Sequence, residues 1–240
     1  MKQGTFITVL LVVAFIASII IFNFLPDFIR AGGPLVVLLI TLSIMAVAFI
    51  IERSLSLRKA RGAESIPHFL AGVKKELSSG NVQSAADLCD KQKGSFANIL
   101  RAGLEAYDFS VSQKHGTEKV IVDTQTAINE ATMLEIPLLE RNLVALSTIA
   151  SISTMVGLLG TVIGMIRAFR ALAKAGAPDA VQLSLGISEA LINTAGGLVA
   201  AIASIVAYNY FTTKVDNFSY SIEESSYSML QMLTSKLRDK

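Results

Sequence analysis

Asn142–Ile166 reads NLVALSTIASISTMVGLLGTVIGMI, with no charged residue between Arg141 and Arg167. At about 1.5 Å rise per residue, a helix of this length crosses a hydrocarbon core of roughly 30 Å. Two stripes run along it. Ser147, Ser151, Thr154 and Thr161 fall at i, i+4, i+7 and i+14 and share one narrow face. Gly157, Gly160, Gly164 and Ala168 form a second face, of small residues, where a neighbouring backbone can approach closely. A spanning helix with a hydroxyl face and a glycine face is expected inside an assembly, turned towards a partner or a polar path.

The composition agrees with a membrane protein. Hydrophobic residues fill 52% of the 240 positions and charged residues 17%, well away from the soluble average. Gln3–Pro26, Ala31–Ile51 and Ala190–Thr213 are further charge-free windows, each long enough to span. The expected fold is an all-α membrane protein with four transmembrane helices, at 1–26, 34–52, 142–170 and 183–213. Residues 53–141 are expected to form a cytoplasmic helical domain into which the long helices extend, and 214–240 a cytoplasmic C-terminal helix. Lys2 gives the first window the start of a signal peptide. Its apolar run Phe6–Leu25 nevertheless exceeds the roughly 7–15 residues of an h-region, and no small-x-small site follows, so it reads as a retained helix.

Arg58, Lys59 and Arg61 mark the cytoplasmic end of the second crossing, which puts both termini in the cytoplasm. Arg167, Arg170 and Lys174, at the outer end of the third crossing, run against that rule. The earlier charge transitions outweigh them. The turn Lys174–Asp179, with Gly176 and Pro178, is expected to be short and external. A net charge of +2 is too small to point to nucleic acid.

Start and stop signals divide the polar segment. Ser65 can cap a helix carrying Phe69, Val73 and Leu77 to a stop at Gly80. Asn81 can cap a second, ending near Gly94, and Ser95 precedes a third. Asp108–Gly116 reads as a linker. Thr117 is expected to cap a long helix that bends at Pro137, where a backbone bond is lost. The lone Cys89 reads as a small buried side chain.

Two threonines are expected at one depth, roughly 10 Å outward of mid-membrane: Thr161 on the third crossing and Thr194 on the fourth. Two hydroxyls at one level can ring a polar passage between subunits; the bland alternative is that each bonds its own i−4 carbonyl. Glu189 opens the last crossing. A carboxylate deep in a bilayer costs roughly 2.5–3.5 kcal/mol on insertion scales, so it is expected to face water, a cavity or a cation. The structural alternative is a boundary glutamate that snorkels outward or pairs with Arg170. Asn193, Gly197 and Ala200 continue its face. No enzyme signature is found. The glycines from Gly157 to Gly164 lack the lysine of a phosphate loop, and His68 and His115 have no ligand-spaced partners, so neither metal nor cofactor is expected.

Gly157-Leu-Leu-Gly160-Thr161-Val-Ile-Gly164-Met-Ile-Arg167-Ala-Phe169 resembles the G-L-x-G-T-V-x-G-x-x-x-x-F signature of the MotA/TolQ/ExbB proton-channel family. Gly186-Ile-Ser-Glu189-Ala-Leu-Ile-Asn193-Thr194-Ala195, followed by Gly197-Leu-Val-Ala-Ala-Ile202, resembles its G-I-A-E-A-L-x-x-T-A-x-G-L-x-A-A-I block, and Val206-Ala-Tyr208-Asn209 its closing V-x-Y-N. The resemblance covers Pro34–Asp216 and is closest to ExbB and TolQ. The chain departs from the pattern at Ala203 and before Gly157, where prolines are usual, and in its extra N-terminal crossing.

The resemblance implies an inner-membrane homo-pentamer around an ExbD-like single-span partner that carries the protonatable aspartate. Thr161 and Thr194 match the family's pore threonines, and Glu189 would attract or pass cations. Proton flow would drive a TonB-like energy transducer serving outer-membrane transport; a TolQ-like or gliding-motor stator role is the alternative within the same resemblance. The residues alone stop earlier, at a helical membrane oligomer with a polar interior. A self-sufficient transporter relying on Glu189, or a passive scaffold using the hydroxyls as helix glue, stays open on that reading.

Overall fold

The computed structural model describes residues 3–173 and 179–238. Among them the chain is helical throughout, with no strand. The helices are α1 (Gln3–Phe24), α2 (Asp27–Arg30), α3 (Pro34–Arg61), α4 (Ile66–Ser78), α5 (Val82–Gln92), α6 (Ser95–Ser112), α7 (Thr117–Glu140), α8 (Leu143–Leu172) and α9 (Ala180–Arg238). Four of these stretches are long and apolar enough to cross a membrane. Of the expected turn Lys174–Asp179, residues 174–178 lie outside the described residues. Two compact units form: residues 1–52 with 142–210, and residues 53–141 with 211–240.

The first unit contains α1, α2 and α8 with the apolar parts of α3 and α9. Its extra N-terminal helix is docked on α3 through a polar contact in an otherwise apolar span. Thr41 Oγ1 lies 2.8 Å from Ser18 Oγ, and both residues are buried beside Ala14. The other faces of α1 are exposed hydrophobics such as Val13, Ile16 and Ile20, as a helix bathed in acyl chains requires. Asn142, at φ 64, separates α7 from α8, and its Nδ2 donates to Glu52 Oε2 at 3.2 Å. Asparagine tolerates this left-handed backbone better than most residues. The interruption thus falls at Asn142. The helix runs on through Pro137 to Glu140, although Pro137 was expected to mark the bend.

In the second unit, α4, α5, α6 and α7 and the last turns of α9 enclose one core. Phe69, Phe96 and Phe218 stack edge to face in succession, with ring centroids 6.2 and 5.9 Å apart. Ile99, Leu100, Leu104, Ile128, Ile222 and Met229 fill the space around them. Gln92 closes the α3–α4 turn: its Nε2 donates to the carbonyls of Arg61 and Glu64, and its Oε1 accepts from the Glu64 amide. Arg53 is almost fully buried, and its Nη1 donates to the Leu139 carbonyl at 3.1 Å.

Three boundaries differ from the sequence expectation. The linker expected at Asp108–Gly116 is confined to residues 113–116, because α6 continues to Ser112; Ser110 is buried there and its hydroxyl donates to Asp123 at 2.6 Å. Thr117 is the first helical residue and Gly116 occupies the cap position, whereas Ser65 and Asn81 do stand at the N-caps of α4 and α5, without a side-chain capping bond. The last crossing and the C-terminal segment form one unbroken helix, since neither glycine nor proline occurs after Gly197.

Cys89 is buried in this core, and its burial, reinforced by the neighbouring Asp90 carboxylate, pushes the thiol up to about 12. At about pH 8 the thiolate is then scarce as well as shielded. Maleimide is expected to leave Cys89 unmodified in the folded protein and to label it fully in denaturant. Rapid labelling of the native chain would contradict this packing.

Candidate functional site

The glycine stripe of α8 is the surface on which α9 packs. A Cβ on Gly157 would lie 3.2 Å from the Gly197 Cα and 3.4 Å from the Thr194 Cα. One on Gly164 would lie 2.6 Å from the Gly186 carbonyl and 2.7 Å from the Ala190 amide, and one on Gly197 2.6 Å from the Ser153 carbonyl. Gly160 faces Asn193, whose Cβ occupies the place a Gly160 side chain would take. Both partners therefore contribute small residues, and the two backbones meet in antiparallel register. Ser153 is sealed in this seam, and no described residue partners its hydroxyl.

That register fixes the heights of the threonines. Thr194 sits beside Gly157, its Oγ1 3.3 Å from the Gly157 carbonyl and 3.2 Å from the Ala190 carbonyl. Thr161 is four residues further along α8, about 6 Å. The common level expected from the sequence is thus replaced by two rungs one turn apart. The expectation measured each threonine from the middle of its charge-free window, and those middles are not opposite one another.

The hydroxyl stripe of α8 remains uncovered. Ser151 is exposed, and Ser147, Thr154 and Thr161 are half-buried. Each donates to its own helix: Ser147 to Val144 O, Ser151 to Ser147 O, Thr154 to Ala150 O and Thr161 to Leu158 O, the last at 2.6 Å. Local back-bonding, the bland alternative, is therefore present. It also uses each hydroxyl's proton, so that what points away from the helix is a lone-pair acceptor. Thr161 opens on a groove of about 700 Å³ lined by Val162, Met165, Ile166 and Phe169.

Glu189 is buried at 5% exposure and faces a cation. The partner is Arg167, whose Nη1 donates to both carboxylate oxygens at 2.6 Å, and not Arg170. One turn on, Asn193 is fully buried and its Nδ2 donates to the carbonyls of Gly32 and Glu189. Gly33, at φ +74, turns the chain between α2 and α3, and a Cβ there would lie 2.9 Å from Glu189 Oε1. A cavity of about 600 Å³ lies next to the pair, lined by Arg167, Arg170, Asp179, Gln182 and Glu189. Asp179 caps α9 by accepting from the Val181 and Gln182 amides.

Arg167, Gly32, Gly33 and Ser153 were not singled out for these contacts from the sequence. Arg167 could have been found by extending the antiparallel register from Gly164 and Ala190 by one turn. Gly32 and Gly33, between Pro26 and Pro34, read as a turn, but nothing in the sequence around Glu189 pointed to its contact with that turn, which lies far away in the chain.

The MotA/TolQ/ExbB proton channel family matches over residues 91–224. The Tol-Pal system protein TolQ of Haemophilus influenzae is 35% identical over 202 residues, covering 81% of this chain and 86% of its own. The putative biopolymer transport protein ExbB-like 3 of Synechocystis is 34% identical over 188 residues, with coverages of 75% and 81%. The biopolymer transport protein ExbB of Salmonella typhimurium is 38% identical over 85 residues, 35% of each chain. The matched region takes in all of α8 and the glycine- and threonine-bearing part of α9, and this chain belongs to the MotA/TolQ/ExbB proton channel family.

Proposed function

We propose that the chain is an ExbB-like subunit of an inner-membrane, proton-driven motor, with both termini cytoplasmic. In this reading it assembles as a homo-pentamer around an ExbD-like single-span partner and passes mechanical work to a TonB-like transducer for outer-membrane transport. The observation that carries the reading is the uncovered hydroxyl stripe of α8, beside a glycine stripe already filled by α9. Its acceptor oxygens suit a protonated carboxyl group or a chain of waters, the two species a proton path presents to them. Thr161 and Thr194 then form two rungs of the path and Ser147, Ser151 and Thr154 continue it, with Glu189 and its partner Arg167 at the outward end.

A tagged copy, purified from its native membrane, is expected to bring with it a protein with one span and an aspartate inside that span. Purification without such a partner, together with ion transport by this chain alone, would favour the self-sufficient transporter. A TolQ-like role is the second reading, supported by the longer alignment with TolQ than with the ExbB of Salmonella. Complementation separates the two: an ExbB-like chain restores TonB-dependent uptake, and a TolQ-like chain restores Tol-Pal function.

A further inference from the structure

Three segments distant in sequence converge on one carboxylate. α8 supplies Arg167, α9 supplies Glu189 and Asn193, and the turn ahead of α3 supplies Gly32 and Gly33. The two glycines of the turn each meet a different residue of α9, one through a hydrogen bond and one through close packing. The Gly32 carbonyl accepts from Asn193 at 2.8 Å, and Gly33 leaves room for the Glu189 carboxylate where a Cβ would crowd it at 2.9 Å. Arg167 reaches the same carboxylate from the other side. The Arg167 side chain is 54% exposed while that of Glu189 is 7% exposed, so the buried member of the pair depends on the accessible one. Arg170 lines the same cavity, but among the described residues it makes no contact with Glu189.

We propose that Arg167 is a positioning residue: it holds the Glu189 carboxylate on the Gly32–Gly33 turn and so staples the α2–α3 turn to the α8–α9 pair. Glu189 then borders the outward end of the path by geometry, its carboxylate engaged by Arg167, without itself passing protons. Only this consequence rests on the proposed proton path; the staple is a property of the chain itself.

The test is hydrogen exchange on the full-length chain in lipid nanodiscs, followed by mass spectrometry of peptides covering Pro26–Val36. The amides of Gly32, Gly33 and Val36 are hydrogen-bonded to Ile29, Arg30 and Gly33 and report on the turn directly. Arg167→Met leaves the carboxylate buried without its cation, and exchange in this peptide is expected to rise about tenfold or more. Arg167→Lys should restore part of the protection. The double variant Arg167→Met/Glu189→Gln should exchange more slowly than Arg167→Met, because the stranded charge is gone. Unchanged exchange in Arg167→Met overturns the proposal. So does a rise spread evenly over α8 and α9 that Glu189→Gln does not reverse. Proton-driven output gives a second reading: Glu189→Gln, whose amide oxygen can still accept from Arg167, retains most of the output if the carboxylate is a staple, and loses it if the carboxylate is a proton carrier. The exchange result needs neither partner nor proton gradient, so failure of the motor assignment would leave it readable.

Discussion

Gly164→Val is expected to prevent α8 and α9 from closing and to remove most of the folded protein. The atoms a Cβ would strike are the Gly186 carbonyl at 2.6 Å and the Ala190 amide and Cα at 2.7 and 2.9 Å. All three belong to backbone, so no rotamer change relieves the contact and the helices must separate. Overpacking typically costs about 1–3 kcal/mol, and a backbone neighbour places this site at the upper end. Separation also weakens what depends on close approach, the Thr194 contact with the Gly157 carbonyl and the Arg167–Glu189 pair. Gly116→Ala is the control, since nothing lies within 4 Å of its Cβ position and its φ is −64. Thermal unfolding in detergent should show a midpoint far below wild type for Gly164→Val and an unchanged one for Gly116→Ala. Equal midpoints would contradict the packing.

Thr194→Val is expected to act on activity far more than on folding. Its hydroxyl spans from Ala190 in its own helix to Gly157 in the next, and interhelical hydrogen bonds inside membranes average only about 0.6 kcal/mol. Valine keeps the shape, so the protein should accumulate normally. In a proton path the same hydroxyl meets a charged or protonated group, where a hydrogen bond is worth about 1.5–3 kcal/mol. That corresponds to a loss of roughly ten- to hundredfold in proton-driven output. Normal output at normal protein levels would make Thr194 helix glue and nothing more.

Much of this was legible in the chain. The charge-free windows revealed four apolar helices, and the recurrence of small residues through Gly157, Gly160 and Gly164 marked the face on which another helix packs. What escaped was register. Hydropathy gives each span its length but not its height relative to a neighbour, so Thr161 and Thr194 were expected level and stand a turn apart. The glycine contacts contain the correct register, but only once it is known that Gly157 faces Gly197 and Gly164 faces Gly186. The partner of Glu189 escaped for the same reason: choosing between Arg167 and Arg170 takes a shift of less than one turn. Asp108–Gly116 was misread because its polar residues look like a loop, whereas Ser110 and Asp123 satisfy one another across the α6–α7 hairpin.

Thr161 gives the most direct test of the central claim, that the open hydroxyl face of α8 lines a shared polar interior. Its oxygen is half-buried and already donates to Leu158, and only its acceptor side is offered outward. Proton-driven output should be measured in cells producing equal amounts of wild type, Thr161→Ser and Thr161→Val. The account predicts that serine, which keeps the acceptor, retains most of the output and that valine loses roughly tenfold or more. Full output from Thr161→Val would mean that this face meets lipid or an inert neighbour, and the proton path would have to run elsewhere.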